Sequence, residues 1–221
     1  MVKLLDLRLN AIVDPERAGG RDLVDLARQV GAGGATLVQL RDKKSDTRRM
    51  VETARAIKAA LKPLSIPLVV NDRVDVALAA RADGVHIGPE DMAPDDARAL
   101  LGPHAIIGVS IKSVEAAEAA PVGIVNYAGV GGVYATLSKE QNSPPIGPEG
   151  FSRIAQALRR RAPDLPIVGI AGIDTGNAGA VIAAGADGVA VISALSLASD
   201  PAAAARALRD IVDGMLAKRG T

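Results

Sequence analysis

Residues 67–88 read PLVVNDRVDVALAARADGVHIG, and this stretch predicts one strand–helix–strand unit. The apolar runs Pro67–Val70 and Gly84–Ile87 at its ends are short and rich in Val, Leu and Ile, which is typical of buried parallel strands. The pattern of Val74–Arg81 between them indicates a helix, and Asp83-Gly84 marks a tight turn into the next strand. Parallel strands joined by a helix are the unit from which α/β folds are built.

The same alternation continues in both directions along the chain. The candidate strands are Leu7–Val13, Thr36–Leu40, Pro67–Val70, Gly84–Ile87, Ile106–Val109, Ile124–Tyr127, Pro166–Ile170 and Gly188–Ile192. The candidate helices are Asp22–Val30, Arg48–Leu61, Val74–Arg81, Pro94–Leu101, Phe151–Arg161, Asn177–Ala184 and Pro201–Lys218. Eight units fit a closed (β/α)₈ TIM barrel better than an open sheet of five or six strands. Ala186-Asp187-Gly188 repeats Ala82-Asp83-Gly84, and no linker divides the chain, so we expect residues 1–221 to form a single TIM-barrel domain.

Composition narrows the class of protein. Only Phe151, Tyr127 and Tyr134 are aromatic, so the core must be built from Ala, Val, Ile and Leu, and stacking platforms for nucleic acid are not expected. The 26 basic and 25 acidic side chains nearly balance, which argues against a polyanion or membrane partner. There is no cysteine, which excludes disulfides and Cys-ligated zinc. We expect a cytoplasmic protein with no signal peptide, and a homo-oligomer remains open.

Polar residues collect directly after the apolar runs, where the active sites of such barrels are built. Arg41 and Lys43 follow the second strand, Asp72 follows the third, and Asp91 follows the fourth. Carboxylates combined with substrate phosphate oxygens are the usual ligands of Mg²⁺. We therefore predict a diphosphate site with Mg²⁺ bound by Asp72 and Asp91. Glu90 and Asp95 remain alternatives to Asp91.

A second anion site is predicted at the ends of the seventh and eighth strands, where such barrels commonly bind phosphate. Gly172 permits close approach of the backbone, and the Ser193 hydroxyl can donate a hydrogen bond. A long Gly- and Pro-rich connection after the sixth strand has the character of a lid. Its polar side chains Thr136, Ser138 and Lys139, together with Ser110 after the fifth strand, are expected between the two anion sites.

The histidines do not indicate a nucleophile system. His86 lies in the middle of a strand and is expected to satisfy the barrel interior rather than to bind metal. His104 lies in a Gly-Pro-His turn and is expected to be solvated.

Taken together, the strand ends resemble those of the thiamine-phosphate synthase family over nearly the whole chain. The matching motifs are Gln39-Leu40-Arg41-Asp42-Lys43, Val70-Asn71-Asp72, Gly84-Val85-His86-Ile87-Gly88-Pro89-Glu90-Asp91-Met92, Ile107-Gly108-Val109-Ser110, Thr136-Leu137-Ser138-Lys139, Pro144-Pro145-Ile146-Gly147, Gly169-Ile170-Ala171-Gly172-Ile173 and Val191-Ile192-Ser193-Ala194. Each motif alone is weak, but eight in the same order are specific.

The resemblance implies a transferase that joins a hydroxymethylpyrimidine diphosphate to a thiazole phosphate and releases diphosphate, with Mg²⁺ as cofactor. By resemblance, the pyrimidine diphosphate would be bound by Gln39, Arg41, Lys43, Asn71, Ser110 and Lys139, of which Arg41, Lys43, Ser110 and Lys139 would take part in catalysis. Asp72 and Asp91 would hold the metal. The thiazole phosphate would be bound by Thr136, Ser138, Gly172, Ile192 and Ser193.

The chain departs from the family pattern at a few positions. Lys112 stands where the family usually has His, Tyr134-Ala135-Thr136 replaces an aromatic–Pro–Thr sequence, and Ser138 replaces a second Thr while keeping the hydroxyl. A thiazole tautomerase on the same fold is one alternative, although Lys112 replaces the histidine on which that enzyme relies. A non-catalytic barrel that binds a phosphorylated ligand as a regulator is the other.

Overall fold

The computed structural model describes residues 5–136, 138 and 144–220. Within these ranges eight parallel strands pair in chain order and close into a barrel, so the TIM-barrel prediction is confirmed. The strands are β1 Leu9–Val13, β2 Leu37–Leu40, β3 Leu68–Asn71, β4 Gly84–Ile87, β5 Ile106–Ile111, β6 Tyr127–Gly131, β7 Ile167–Ile170 and β8 Gly188–Val191. The helices are α1 Leu23–Ala32, α2 Thr47–Leu61, α3 Val74–Ala80, α4 Pro94–Leu101, α5 Val114–Ala119, α6 Gly147–Arg161, α7 Ala178–Ala183, α8 Ser193–Ser196 and α9 Pro201–Arg219.

The helices begin and end where local chemistry dictates. Asp22, Asp46, Ser113 and Asp200 each accept a hydrogen bond from a backbone N–H in the first turn of α1, α2, α5 and α9. Arg81 ends α3 in the left-handed conformation, with φ of 55°. The sequence prediction of a helix stop at this position is therefore confirmed.

Two hydrophobic layers hold the barrel together. The larger layer lies between the strands and the surrounding helices and consists mostly of Ala, Val, Ile and Leu. The smaller layer fills the barrel interior and includes Ile12, Leu37, Val69, Tyr127 and Val168. Because side chains alternate along a strand, the interior positions of β2 and β3 fix which later residues face the barrel mouth.

The prediction for the sixth strand was wrong. The apolar run Ile124–Tyr127 suggested a strand, but β6 begins at Tyr127 and ends at Gly131. The amides of Ile124 and Val125 instead donate to the carbonyl oxygen of Pro121 in a turn. The glycines of β6 had suggested a loop, yet they are required inside the barrel, because a Cβ at Gly131 would lie 2.5 Å from the Ile170 side chain.

The other seven predicted strands lie within two residues of the observed ones. No helix was predicted between the fifth and sixth strands, and the structure shows that α5 was missed. This helix has only six residues, fewer than an amphipathic pattern needs to be recognised.

Candidate active site

The C-terminal ends of the strands surround a polar mouth. Leu37 and Val69 belong to the interior layer, so Gln39 and Asn71, two residues further along β2 and β3, face the same interior near the mouth. Gln39 is buried and Asn71 is half-buried. The structure thus brings both residues to the place that the sequence predicted.

Arg41 follows β2 and pairs with a carboxylate that sequence reasoning missed. Its guanidinium donates to Asp14 Oδ2; the Arg41 side chain is 14% exposed and that of Asp14 is 0% exposed. The second oxygen of Asp14 accepts the N–H of Glu16 at 2.8 Å. Asp14 directly follows β1, so the rule that located the other polar residues would have located it as well.

Lys43 lies over the end of β3 and forms an ion pair with Asp72. Between Arg41 and Lys43, the Asp42 carboxylate accepts the N–H groups of Lys44 and Ser45 at 3.1 and 2.9 Å, which turns the chain toward α2. Burial by itself would raise the pKa of Asp42, but hydrogen bonds from these N–H groups outweigh it, and the pKa is lowered. Asp42 therefore shapes the loop that carries the two cations.

The two predicted metal ligands lie side by side. Asp72 has φ of +62°, and its N–H donates to the carbonyl oxygen of His86 at 2.8 Å, which fixes it against β4. Asp91 Oδ2 accepts the N–H of Gly88 at 2.7 Å. The pKa of Asp91 is raised, first by desolvation and further by the neighbouring Asp72 carboxyl, while the Gly88 N–H and Lys43 oppose this shift.

This carboxylate pair fits a divalent cation. Burial and the adjacent Asp72 carboxyl both disfavour the charged form of Asp91, and this keeps its pKa raised although Lys43 is nearby. Mg²⁺ is usually held by one or two carboxylates, with waters and substrate phosphate oxygens completing its six ligands. Across the described residues no cluster of three or more His, Cys, Asp or Glu side chains could hold a metal alone. The two carboxylates therefore suit a metal that arrives with, or is completed by, a phosphate.

A hydroxyl cluster lies across the mouth. Ser138 Oγ and Ser193 Oγ are hydrogen-bonded to each other, and the N–H of Ser138 donates to Thr136 Oγ1 at 3.1 Å. Gly172, with φ of +65°, lies directly under the loop after β6, because a Cβ there would be 2.4 Å from the Ala135 carbonyl oxygen. The structure thus gathers four of the five predicted thiazole-phosphate residues, and Ile192 adjoins Ser193 as the last residue before α8.

Ser110 lies in β5 and is held by a residue that the sequence placed only in the core. Ser110 Oγ is 2.9 Å from His86 Nε2, and His86 Nδ1 is 2.9 Å from the Tyr127 hydroxyl. The prediction that His86 satisfies the barrel interior is confirmed, but its contact with Ser110 was missed. No pattern in the sequence links residues on three different strands before their register is known.

Two lysines named in the sequence analysis differ in what the structure describes. Lys139 lies outside the described residues, so its predicted role stays a prediction. Lys112, which replaces the family histidine, is described and is exposed after β5.

A sequence-family model described as thiamine monophosphate synthase matches residues 9–195. The chain belongs to this family. A thiamine-phosphate synthase from Agrobacterium fabrum is 48% identical over 97% of this chain and 98% of its own length. Another from Moorella thermoacetica is 48% identical over 92% of this chain and 95% of its own length.

A solved structure agrees with the sequence comparisons. The thiamine phosphate pyrophosphorylase from Pyrococcus furiosus has a TM-score of 0.85 and 37% identity, and the match covers 96% of this chain and 98% of that one. Membership of the thiamine monophosphate synthase family makes the chain an enzyme of the transferase class. Among the described helices, none is long and apolar enough to cross a membrane.

Proposed function

We propose that this enzyme joins 4-amino-2-methyl-5-hydroxymethylpyrimidine diphosphate to hydroxyethylthiazole phosphate, giving thiamine phosphate and diphosphate. The observation that carries the proposal is the division of the barrel mouth into two anion-binding groups. Cations and a carboxylate pair lie at the ends of β2 to β4, and hydroxyls with a close-approach glycine lie on the loop after β6 and at the ends of β7 and β8. A reaction between a diphosphate and a phosphate monoester needs both groups on one face.

The first group would bind the pyrimidine diphosphate. Arg41 and Lys43 supply positive charge, and Gln39, Asn71 and Ser110 supply neutral hydrogen-bonding groups from the interior side. Lys139 is proposed to belong to the same group. A diphosphate approaching Lys43 would compete with Asp72 for its ammonium, so substrate binding would free the Asp72 carboxylate toward a metal.

Asp72 and Asp91 would hold Mg²⁺. When bound, this cation supplies positive charge that stabilises the diphosphate as a leaving group. The raised pKa of Asp91 supports the assignment, since a cation beside the pair would offset both the desolvation and the Asp72 repulsion that raise it.

The second group would bind the thiazole phosphate. Thr136, Ser138 and Ser193 offer hydroxyl donors, and Gly172 and Ile192 offer backbone at close range. The bond between Ser138 and Ser193 joins the loop after β6 to the end of β8, so one phosphate would contact both segments.

The chemistry needs no protein nucleophile. The bond between the pyrimidine methylene carbon and the diphosphate oxygen breaks, and its electron pair leaves with diphosphate. The lone pair of the thiazole nitrogen then forms the new carbon–nitrogen bond, and no proton is transferred. The protein residues orient the two heterocycles and stabilise the charge that grows on the leaving oxygen.

Several broader expectations accompany this proposal. A cytoplasmic location and an absence of nucleic-acid or membrane partners are consistent with biosynthesis from small molecules. A closed barrel that runs from Leu9 to Val191 supports a single domain over residues 1–221. Lys112 is exposed and leaves position 112 without the histidine of a tautomerase, so the synthase is preferred.

A coupling assay tests the proposal and its metal site together. Purified protein with both phosphorylated heterocycles should release diphosphate when Mg²⁺ is present and should stop when it is chelated. Asp91→Asn should lower turnover by about 100-fold or more, because one carboxylate of the pair is lost. Asp95→Asn, an exposed acidic residue in the first turn of α4, is the matched control and should keep wild-type turnover.

The outcomes distinguish the reaction from the identity of the metal ligand. If the wild-type protein releases no diphosphate, the function is wrong although the barrel stands. If Asp91→Asn keeps wild-type kinetics while Asp95→Asn loses them, the metal ligand is Asp95.

A further inference from the structure

Three side chains from three neighbouring strands form a hydrogen-bonded chain through the barrel interior. The Tyr127 hydroxyl on β6 is 2.9 Å from His86 Nδ1 on β4, and His86 Nε2 is 2.9 Å from Ser110 Oγ on β5. Tyr127 is fully buried, His86 is buried, and Ser110 is half-buried at the mouth. These two hydrogen bonds therefore connect the buried interior of the barrel to the proposed substrate site.

Two glycines leave the space in which these rings lie. A Cβ at Gly108 would be 2.1 Å from Tyr127 Cζ, and a Cβ at Gly129 would be 3.0 Å from His86 Cε1. The two ring centroids are 5.4 Å apart with planes tilted by 35°. Gly108 lies in β5 and Gly129 lies in β6, so the backbone of these two strands fixes the position of both rings.

The direction of each hydrogen bond follows from the buried hydroxyl. Burial raises the pKa of Tyr127 far above its ordinary value, so the phenol keeps its proton at any working pH. A buried O–H without an acceptor lowers the free energy of unfolding, so buried hydroxyls almost always have one. Among the described residues, His86 Nδ1 is the one hydrogen-bond partner of this hydroxyl. The phenol therefore donates, and Nδ1 must accept.

The tautomer of the imidazole is then fixed. A neutral imidazole has one N–H, and if Nδ1 accepts, the proton lies on Nε2. Nε2–H donates to Ser110 Oγ, so the hydrogen of the serine hydroxyl is not used in this bond. We propose that Tyr127 and His86 are positioning residues that turn the Ser110 hydroxyl into a hydrogen-bond donor directed at the substrate.

Whether the Ser110 hydroxyl donates or accepts determines which substrate atoms it can bind. With one of its two lone pairs occupied by Nε2–H, the hydroxyl keeps its hydrogen for an acceptor, such as an unprotonated ring nitrogen or a phosphoryl oxygen of the pyrimidine diphosphate. With the opposite tautomer, Ser110 would donate to His86 and offer the substrate only lone pairs. This step rests on the proposed function, whereas the tautomer of His86 does not.

Nitrogen-15 NMR tests the tautomer without any substrate. The chain has two histidines, His86 and His104, so protein labelled with ¹⁵N-histidine gives two ring patterns, which a His104→Gln variant assigns. At pH 8, well above the ordinary imidazole pKa of about 6.5, His86 should show an unprotonated Nδ1 and a protonated Nε2. Exposed His104 should show averaged tautomers and is the internal reference. A protonated Nδ1, or an averaged pattern at His86, would overturn the proposal.

Tyr127→Phe removes the donor and keeps the ring that fills the space over Gly108. His86 should lose its single-tautomer pattern in this variant, while the amide spectrum remains that of a folded barrel. An unchanged His86 pattern in the folded variant would show that Tyr127 does not set the tautomer.

A double-mutant cycle tests whether the substrate accepts a hydrogen bond from the Ser110 hydroxyl. Tyr127→Phe and Ser110→Ala should each lower kcat/KM for the pyrimidine diphosphate by about 3- to 10-fold, the value of one neutral hydrogen bond. The KM for the thiazole phosphate should not change in either variant. The double variant should lose no more than Ser110→Ala alone, because both changes remove the same donor.

The measurements distinguish the positioning role of Tyr127 and His86 from the proposed function. Multiplied losses in the double variant would overturn the positioning role even if the tautomer is as expected. A wild-type protein with the expected tautomer but no diphosphate release would instead refute the proposed function and leave the hydrogen-bonded chain intact.

Discussion

Arg41 and Asp14 show how a cation can be kept in place at a site that must bind an anion. The pair is almost completely buried, and Asp14 is also anchored by the Glu16 N–H. Two charges taken out of water are stable only while both are present, because the remaining one would be left uncompensated. The role of Asp14 is thus to hold the Arg41 guanidinium at the edge of the mouth.

Asp14→Asn should therefore lower the free energy of unfolding by about 3 kcal/mol, the usual result of removing one partner of a buried ion pair. Glu16→Gln is the matched control, since Glu16 pairs with Lys44, which is 76% exposed, between the same two loops. An exposed pair contributes little to stability, because water and salt screen it. Urea denaturation of both variants gives the comparison, and equal losses would mean that the Arg41 pair is screened like a surface pair.

At the residue level the sequence located most of the polar residues that follow a strand and missed the pairing of Arg41 with Asp14. Arg41, Lys43, Asp72 and Asp91 could be predicted because position after an apolar run is a local signal. The ion pair between Arg41 and Asp14 joins residues 27 positions apart. Such pairs follow from barrel closure, so they become visible only when β1 lies beside β2.

The sixth strand shows the limit of pattern reading at the scale of an element. Gly129 and Gly131 lower the strand propensity of β6, and the sequence therefore favoured the preceding Ile124–Tyr127. In the closed barrel the same glycines leave room for His86 and Ile170. Packing inside the barrel overrides local propensity here, and the strand's position depends on side chains from β4 and β7.

Gly108 in β5 is packed against a side chain of β6 in the same way. A methyl group at Gly108 would overlap the buried Tyr127 ring, so Gly108→Ala should lower the free energy of unfolding by about 1–3 kcal/mol or more. Gly123→Ala, in the turn before β6 with no atom within 4 Å of the added Cβ, should change it by about 0.5 kcal/mol or less. Chemical denaturation measures both values. A Gly108 variant as stable as the Gly123 variant would show that the Tyr127 ring can move aside.

Over the whole molecule, the repeat seen in the sequence proves to be part of a fourfold pattern. The residue just before each even-numbered strand accepts a hydrogen bond from a backbone N–H near the start of the preceding odd-numbered strand. The pairs are Thr36 with the N–H of Leu9, Asp83 with Leu68, Asn126 with Ile107 and Asp187 with Ile167. The sequence revealed only the two Asp-Gly pairs as a repeat. Thr36 and Asn126 accept the equivalent hydrogen bonds, but they are different residue types and so do not show as a repeat.

This pattern lies at the opposite end of the strands from the polar mouth, so stability and chemistry occupy different ends of the barrel. At the mouth, the residues proposed to bind diphosphate at β2 to β4 and the hydroxyl residues after β6 and β8 share no ion pair or hydrogen bond within the described part of the chain. Changes that lie far apart and share no partner usually have additive effects. The two halves of the mouth should therefore respond separately to substitution.

Steady-state kinetics of single and double variants, measured for each substrate, test whether the two halves of the mouth are independent. Lys43→Met should raise the KM for the pyrimidine diphosphate by about 10-fold or more, and Ser193→Ala should do the same for the thiazole phosphate, as expected for lost bonds to charged groups. Each variant should leave the other KM unchanged, and the double variant should combine both effects. Ser196→Ala is the control, because Ser196 lies in the same short helix and its buried hydroxyl has no partner in the described structure. If either single variant raises both KM values equally, the two phosphates share one site.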